Sequence, residues 1–537
     1  MEKSATKVYL VGGGIASMAA AVFMIRDGDI LGQNITLFEE LDKLGGSLDG
    51  AGSPEKGYVL RGGRMLESKY LCMFGLFSSI PTLDGRQTVT QEIFAWNETM
   101  KTSSKSRLIR HGQREPAPAF GLSEKNILTI ERLVVETEDE LGSASIADQF
   151  DERFFKTNFW LMWCTTFAFQ PWHSAVVFKR YLVRFAHMIS GFNRLEGIMR
   201  TPYNQYDSMV LPLKKWLEER GVVFALNTCV TDIILSEKEI EISKQKIIEK
   251  TVTQINITQN GNPVSIPVAA TDYVLATLGS MTEGSSLGTM DTPPPPLKQF
   301  ADGASWTLWK TIATDDRPEF GHPWAFSNSI DESKWVSFTT TLHDPALLKI
   351  IQDLTGNVPG EGGLITFPDS NWLCSIVVPY QPHFIGQPDD VSVIWGYGLS
   401  VNEPGNFVKK PMQDCTGWEI MTEVLGHLGL KEQASPLLQK MICIPCMMPF
   451  ITSQFLCCEK GDRPQVRPVG SKNFAFIGQF CDLPDDVVFT VEYSIRSAQM
   501  ATYALLGLDL KPPEVYKGAF SPRVLFKAFM ALHDKES

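Results

Sequence analysis

The sequence predicts an α/β fold, and three observations carry that prediction. A short apolar run at Lys7 to Val11 leads into Gly12–Gly13–Gly14–Ile15–Ala16–Ser17 and then into Met18 to Arg26, a good helix former. A second apolar run, Ile35 to Phe38, ends on Glu39 and Glu40. Far downstream, Asn473 to Gln479 reads as a strand ending in glycine, and Ser494 to Gly507 follows as a helix. Strand, Gly-rich turn, helix and second strand in that order describe a βαβ unit of a parallel sheet.

The first turn has the spacing of a dinucleotide fingerprint. Gly12 permits the tight turn, Gly14 lets backbone approach a pyrophosphate, and Ser17 stands small where the third glycine is usual. Ala16 lies between them at the start of the helix, whose free N–H groups attract phosphate. Glu39, closing the second strand, is placed to take ribose hydroxyls. A glycine fingerprint alone also fits an ordinary βαβ unit; the complete order of parts favours a dinucleotide.

Later stretches narrow this to FAD. Leu44 to Gly50 (LGGSLDG), with Gly46 and Ser47, follows the acid directly, as in FAD folds of the glutathione-reductase type. Asp485 to Ser494 leads into the late helix and brings the backbone of Val491 and Ser494 toward a flavin ring. Leu226 to Ile233, containing Val230, and Asp272 to Ser280, containing Gly279, are expected as strands of the same domain. Arg61, Gly63 and Arg64, in YVLRGGRMLES, are assigned to the same site. No second G-x-G-x-x-G follows a strand, and Gly356 to Gly363 reads as a loop because of Pro359. A separate nicotinamide domain is therefore not expected.

The expected architecture is a discontinuous Rossmann-like FAD-binding domain with an α+β substrate domain and a helical C-terminal part. The FAD domain would take residues 1–75, 205–292 and 465–510; the substrate domain 76–204 and 293–464; the tail 511–537. Pro293 to Pro296 is a stiff spacer between the nucleotide-binding strands and the substrate region. Strands are expected at Trp335 to Thr341 and Cys374 to Val378. The tail segment Phe520 to His533 is amphipathic. Val524, Leu525, Phe529 and Leu532 share its apolar face, for docking on the protein or lying on a membrane.

Composition sets bounds. A chain of 537 residues is too long for one simple core. Apolar residues are 44%, enough for sizeable cores. The net charge of −12 disfavours nucleic acid as a partner. Among ten cysteines, Cys443, Cys446, Cys457 and Cys458 cluster without an intervening histidine in apolar surroundings, so buried thiols rather than a metal are expected. No signal peptide is visible, and no run reaches the roughly 18 apolar residues of a membrane helix. Phe159 to Phe169 is too short and reads as core. A cytoplasmic protein, peripheral to a membrane at most through its tail, is expected.

Several motifs together resemble the FAD-binding oleate hydratases, also known as myosin-cross-reactive antigens. They are GGGIAS, RGGR at 61–64, FAFQPWHS at 167–174, YNQYDS at 203–208, CTG at 415–417, PFITSQF at 449–455, GDRP at 461–464, and the block from Asn473 to Ala501. The resemblance implies addition of water across the cis double bond of a free long-chain unsaturated fatty acid, oleate giving a 10-hydroxy acid. FAD would be bound without net redox, its reduced form being the more active. An isolated alkene is a poor electrophile, so such chemistry needs a positioned acid, an ordered water and surroundings that tolerate cationic charge.

By that resemblance the proton donor is Tyr181. It shares an apolar helical stripe with Val177 and Phe185. Gln205, with Asn204, is assigned to the substrate pocket. Met65 stands where the resemblance implies a water-activating glutamate, and a thioether takes no proton at neutral pH. Glu67 is an alternative base, although it would point elsewhere if the segment were helical; a water held by other groups is the other option. In the segment resembling the carboxylate clamp, threonine and asparagine are replaced by Val377 and Pro379. His383 is kept, and Tyr380 or Gln381 is expected to help it. His173 and His187 are given no catalytic role. The competing readings are a flavin-dependent oxidoreductase of the amine oxidase or desaturase kind, and a fatty-acid-binding flavoprotein with impaired catalysis. A monomer is favoured over a homodimer.

Overall fold

The computed structural model describes residues 5–242, 245–296 and 304–533. Strand β1 (Val8–Val11) is fully buried at the middle of a five-stranded sheet. Strands β2 (Ile35–Phe38), β3 (Val223–Ala225), β4 (Tyr273–Thr277) and β5 (Phe474–Ile477) complete it in the spatial order β5-β4-β1-β2-β3. Every pairing is parallel. Strands covered on both faces need near-continuous apolar sequence, and VYLV and FAFI supply it. Helix α1 (Ile15–Arg26) and helix α2 (Val491–Leu506) pack together beside this sheet. Ala19, Ala20 and Ala21 are fully buried and keep α1 close to its neighbours.

The segment Leu226 to Ile233 departs from the expectation. The parallel strand stops at Ala225, and Asn227 takes a left-handed backbone (φ 52°) that turns the chain. Thr228–Ile242 then opens a separate three-stranded antiparallel sheet with Gln245–Gln259 and Asn262–Pro267. The alternation of that segment is strand-like; only pairing decides which sheet it joins.

A second large sheet has eight strands. It runs from Ser286–Leu287 through Met441–Met448, Trp335–Leu342, Ser392–Gly398, Cys374–Val378, Gly363–Thr366 and Ser106–Arg110 to Gln113–Pro116. Its pairings are antiparallel except that between Gly363–Thr366 and Ser106–Arg110. All eight residues of Trp335–Leu342 are buried. The Gly57–Val59 strand lies across it: Tyr58 N donates to Thr341 Oγ1 at 2.8 Å and Leu60 N to Thr339 Oγ1 at 2.9 Å. These bonds fix the start of the RGGR segment between the two sheets.

Beyond that loop the chain stays extended. Leu66–Glu67 pairs antiparallel with Ile198–Met199. Met65, just before that strand, and Glu67 within it line the same cavity. The tail helix Pro522–His533 docks on the 3-10 segment Ala186–Arg194, with Ala528 and Leu532 buried. Of its expected apolar face Leu532 is buried and Val524 half-buried; Leu525 and Phe529 are exposed, as are Phe526 and Met530. Among the described residues no helix is long and apolar enough to cross a membrane.

Candidate functional site

A cleft of about 270 Å³ opens at the carboxyl ends of β1, β2 and β4, where open parallel sheets bind ligands. Gly12, Gly14, Ala16, Glu39, Gly46, Ser47, Arg61, Val230, Gly279 and Ser494 all line it. Gly12 has φ 92°, which an L side chain rarely adopts. A Cβ on Gly13 would lie 2.5 Å from Glu39 Oε2, and one on Gly46 would lie 3.1 Å from Gly14 Cα. Two glycine turns thus face each other, tied by Gly45 N donating to Gly13 O at 2.9 Å. No side chain caps α1, so its first N–H groups remain for a ligand. Glu39 accepts from Gly13 N (2.6 Å) and Leu41 N (2.9 Å), while burial pushes its carboxyl up. This cradle fits a dinucleotide.

Ser17 is not in the cleft wall. It is fully buried behind the turn, with Oγ 3.4 Å from Val11 O and from Thr277 Oγ1. A small side chain is what that packed position admits. Gly63, Arg64 and Val491 also lie off the cleft, in the walls of two further cavities. Arg61 joins the pieces: Nε donates to Asp49 Oδ2 at 2.8 Å and Nη2 to Gly46 O at 2.7 Å.

The two cavities, of about 60 and 80 Å³, share Gly63, Arg64, Met65, Thr166 and Phe489 in their walls. The smaller contains Tyr181, on the helix Ala175–Arg184. Val177, Tyr181 and Phe185 are buried together, as their helical spacing predicts. The Tyr181 ring is enclosed by Phe167, Phe169, Phe185 and Phe455, with centroids 4.9 to 5.9 Å away. Its hydroxyl donates to Val488 O at 2.6 Å. Burial raises its pKa well above the ordinary tyrosine value, so the hydroxyl keeps its proton.

Glu67 lines the same cavity. Its Oε1 accepts from Arg184 Nη1 at 2.9 Å and its Oε2 from Lys69 N at 2.7 Å. His187 Nε2 lies 3.5 Å from Oε2. Arg64 carries a buried guanidinium over the Phe489 ring, 4.8 Å from its centroid, and desolvation lowers it to about 10. Phe489 is itself left-handed (φ 76°), an unusual state for a bulky side chain that marks the wall between the cavities. Nothing in the local sequence signals it.

Gln205 enters the larger cavity and clamps Arg64. Its Oε1 accepts from Arg64 N at 3.2 Å and its Nε2 donates to Arg64 O at 3.1 Å. The clamp sits at the start of a π-helical turn, Tyr206–Val210. His383 and Tyr380 also line this cavity, as do Val377 and Pro379. Burial and the nearby Arg200 hold His383 neutral, at about 3.

Asn204 and Gln381 are not in the cavity wall. Asn204 is buried and bonds Asp207 Oδ2 (2.9 Å) and His383 O (3.0 Å), which fixes the loop behind the pocket. Gln381 spends its amide on Pro379 O, Val393 O, Val393 N and Gln387 Nε2. Both are polar, and a sequence does not reveal that their bonding capacity is consumed internally. Arg200, Trp335 and Trp395 line the larger cavity without having been marked in the sequence. Among the described residues no group of three or more His, Cys, Asp or Glu could hold a metal ion. Cys443 and Cys446 are buried on one strand, their thiols pushed up to about 12.

Comparison with known proteins adds three findings. The family model described as "MCRA family" matches residues 5–503. An oleate hydratase from Streptococcus pyogenes serotype M49 (strain NZ131) is 41% identical over 98% of this chain and 90% of its own length. A linoleate hydratase from Lactiplantibacillus plantarum is 33% identical over 98% of this chain and 99% of its own. Among solved structures, cyclohexylamine oxidase from Brevibacterium oxydans IH-35A superposes with a TM-score of 0.53 at 11% identity, covering 94% of this chain and 99% of that one. Putrescine oxidase bound to putrescine gives 0.52 at 11% identity, covering 94% and 99%. At such identities the likeness is one of fold.

Proposed function

The chain belongs to the MCRA family, and from that premise we propose that it is a hydro-lyase adding water to the cis double bond of free long-chain unsaturated fatty acids, oleate giving 10-hydroxystearate. The observation that carries this reading is the placement of Tyr181: a phenol in an aromatic cavity that shares walls with a second, larger cavity. The alkene π pair takes the Tyr181 proton, and the oxygen of water bonds to the carbon left cation-like. The oxonium so formed passes one proton to solvent, and the Tyr181 phenolate takes one back from solvent, so that the protons balance and one water is added. The rings of Phe167 and Phe185, in the wall of the same cavity, suit developing positive charge. Met65 accepts no proton. Glu67, in the wall of the same cavity, orients the water with a carboxylate whose charge Arg184 stabilises.

FAD is the cofactor we assign, bound by the glycine cradle, Glu39, Ser47, Arg61 and Ser494. When bound it supplies electrostatic stabilisation of positive charge without net electron transfer, its reduced form being the more active. The division of labour we assign follows the sequence reading, with the parallel sheet holding FAD and the eight-stranded sheet the fatty acid. We further assign a monomer that works in the cytoplasm, its exposed tail residues Phe526 and Phe529 touching a membrane surface.

Purified protein incubated with FAD, a reductant and oleate is expected to yield a product heavier by one water, with no stoichiometric oxygen uptake. Oxygen consumption or flavin bleaching on adding substrate would instead identify an oxidoreductase. Bound fatty acid that is never converted would identify a binding protein, the outcome favoured by Met65 alone.

A further inference from the structure

We propose that Arg200, in the wall of the larger cavity, anchors the substrate carboxylate; this rests on the fatty-acid reading above. The backbone of Arg200 is pinned by Asn97, which accepts from Arg200 N at 3.0 Å and donates to Arg200 O at 2.8 Å. Its guanidinium occupies space left by Gly363, where a Cβ would come within 2.0 Å of Nη2. Gly363 also has φ 70°, so the position is doubly suited to glycine. The side chain is thus held at the wall of the larger cavity.

What it lacks is an acceptor. Nε and Nη2 are buried and have no hydrogen-bond partner, and among the described residues no carboxylate forms an ion pair with Arg200. A desolvated guanidinium without an anion is costly, and planar bidentate donation is the geometry a carboxylate satisfies. Two indole N–H groups in the same wall, Trp335 Nε1 and Trp395 Nε1, are also without partners. His383 stands in that wall as a neutral imidazole, able to donate one bond but no charge.

The other buried arginines near the cavities are less suited. Arg107 already donates to Phe192 O at 2.8 Å and Thr166 Oγ1 at 2.9 Å. Arg64 lies in the wall shared with Tyr181, where a head group would sit at the reacting alkene. Oleate's carboxylate is far along the chain from its double bond, which suits Arg200 in the cavity that Tyr181 does not enter.

The test compares a saturated acid, tetradecanoate, with its neutral counterpart tetradecan-1-ol, titrated calorimetrically into the FAD-loaded enzyme. Arg200→Met is expected to weaken the acid roughly 10- to 100-fold and leave the alcohol within about twofold. Arg200→Lys should restore part of the loss. FAD uptake and melting temperature serve as folding controls, and Arg200→Gln gives the same comparison should the methionine variant not fold. Equal weakening of acid and alcohol, unchanged acid binding in both neutral variants, or no acid binding by the wild type would each overturn the assignment. Arg200-dependent acid binding by an enzyme that fails to hydrate oleate would leave the anchor standing and remove only the hydratase reading.

Discussion

Tyr181 shows how one residue's environment sets its chemistry. A tyrosine ionises with difficulty once its ring and hydroxyl are taken from water, so the donor role proposed for Tyr181 asks the site to stabilise the phenolate as the proton leaves. Tyr181→Phe removes the donor without changing the apolar packing. Hydration of oleate should fall by roughly 100-fold or more, while FAD uptake and melting temperature stay near wild type. Glu67→Gln, assayed alongside, should lower kcat more than it raises KM. Should Tyr181→Phe retain wild-type turnover, the proton comes from elsewhere. Met65 was legible as a departure from the sequence alone. That Glu67 lines the same cavity became visible only in the structure.

At the scale of elements, the glycine cradle was readable in detail because a tight turn and a close backbone approach permit few residues. Gly13, to which the fingerprint spacing gives no role, is singled out only by the structure: Glu39 Oε2 and Leu44 Cδ2 lie 2.5 and 2.8 Å from where a Cβ would stand. Gly13→Ala must therefore displace Glu39 and its 2.6 Å bond. We expect the purified variant to retain little or no FAD while the far-UV circular dichroism is preserved. Full flavin occupancy in that variant would show that Glu39 is not needed where it stands. The assignment of Leu226 to Ile233 to the parallel sheet failed for a contrasting reason. Strand alternation is local, whereas the partner of a strand is chosen by hydrogen bonding across the chain.

Across the whole molecule, buried titratable groups couple the fold to pH. His173 is fully buried and held neutral, at about 3, by desolvation. Its Nδ1 accepts from Gln170 N at 2.9 Å, a bond that protonation breaks. The folded pKa lies below the unfolded value of about 6.5. Its contribution is complete above pH 6.5 and is lost as pH falls from there toward 3. Melting temperature should therefore drop between pH 7 and pH 4, and less steeply in His173→Asn, whose Oδ1 can take the Gln170 bond; parallel curves would place the acid sensitivity in other groups. The tail is a second whole-molecule feature. With Phe526 and Phe529 exposed beside Arg523 and Lys527, co-sedimentation with anionic lipid vesicles is expected, and Phe526→Ser/Phe529→Ser should reduce it several-fold. Equal sedimentation of that double variant would rule out the patch.

By itself the sequence determined the parallel βαβ core, the dinucleotide cradle, the Tyr181 stripe and the family, because these follow from local spacing, residue size and motifs read in order. Only the tertiary structure decided which polar residues face a cavity. Asn204 and Gln381 are consumed by bonds to distant backbone, Ser17 is packed behind its turn, and Arg200 is left with unpaired donors. Whether a polar group is satisfied depends on partners brought from remote parts of the chain, and no local pattern records that balance.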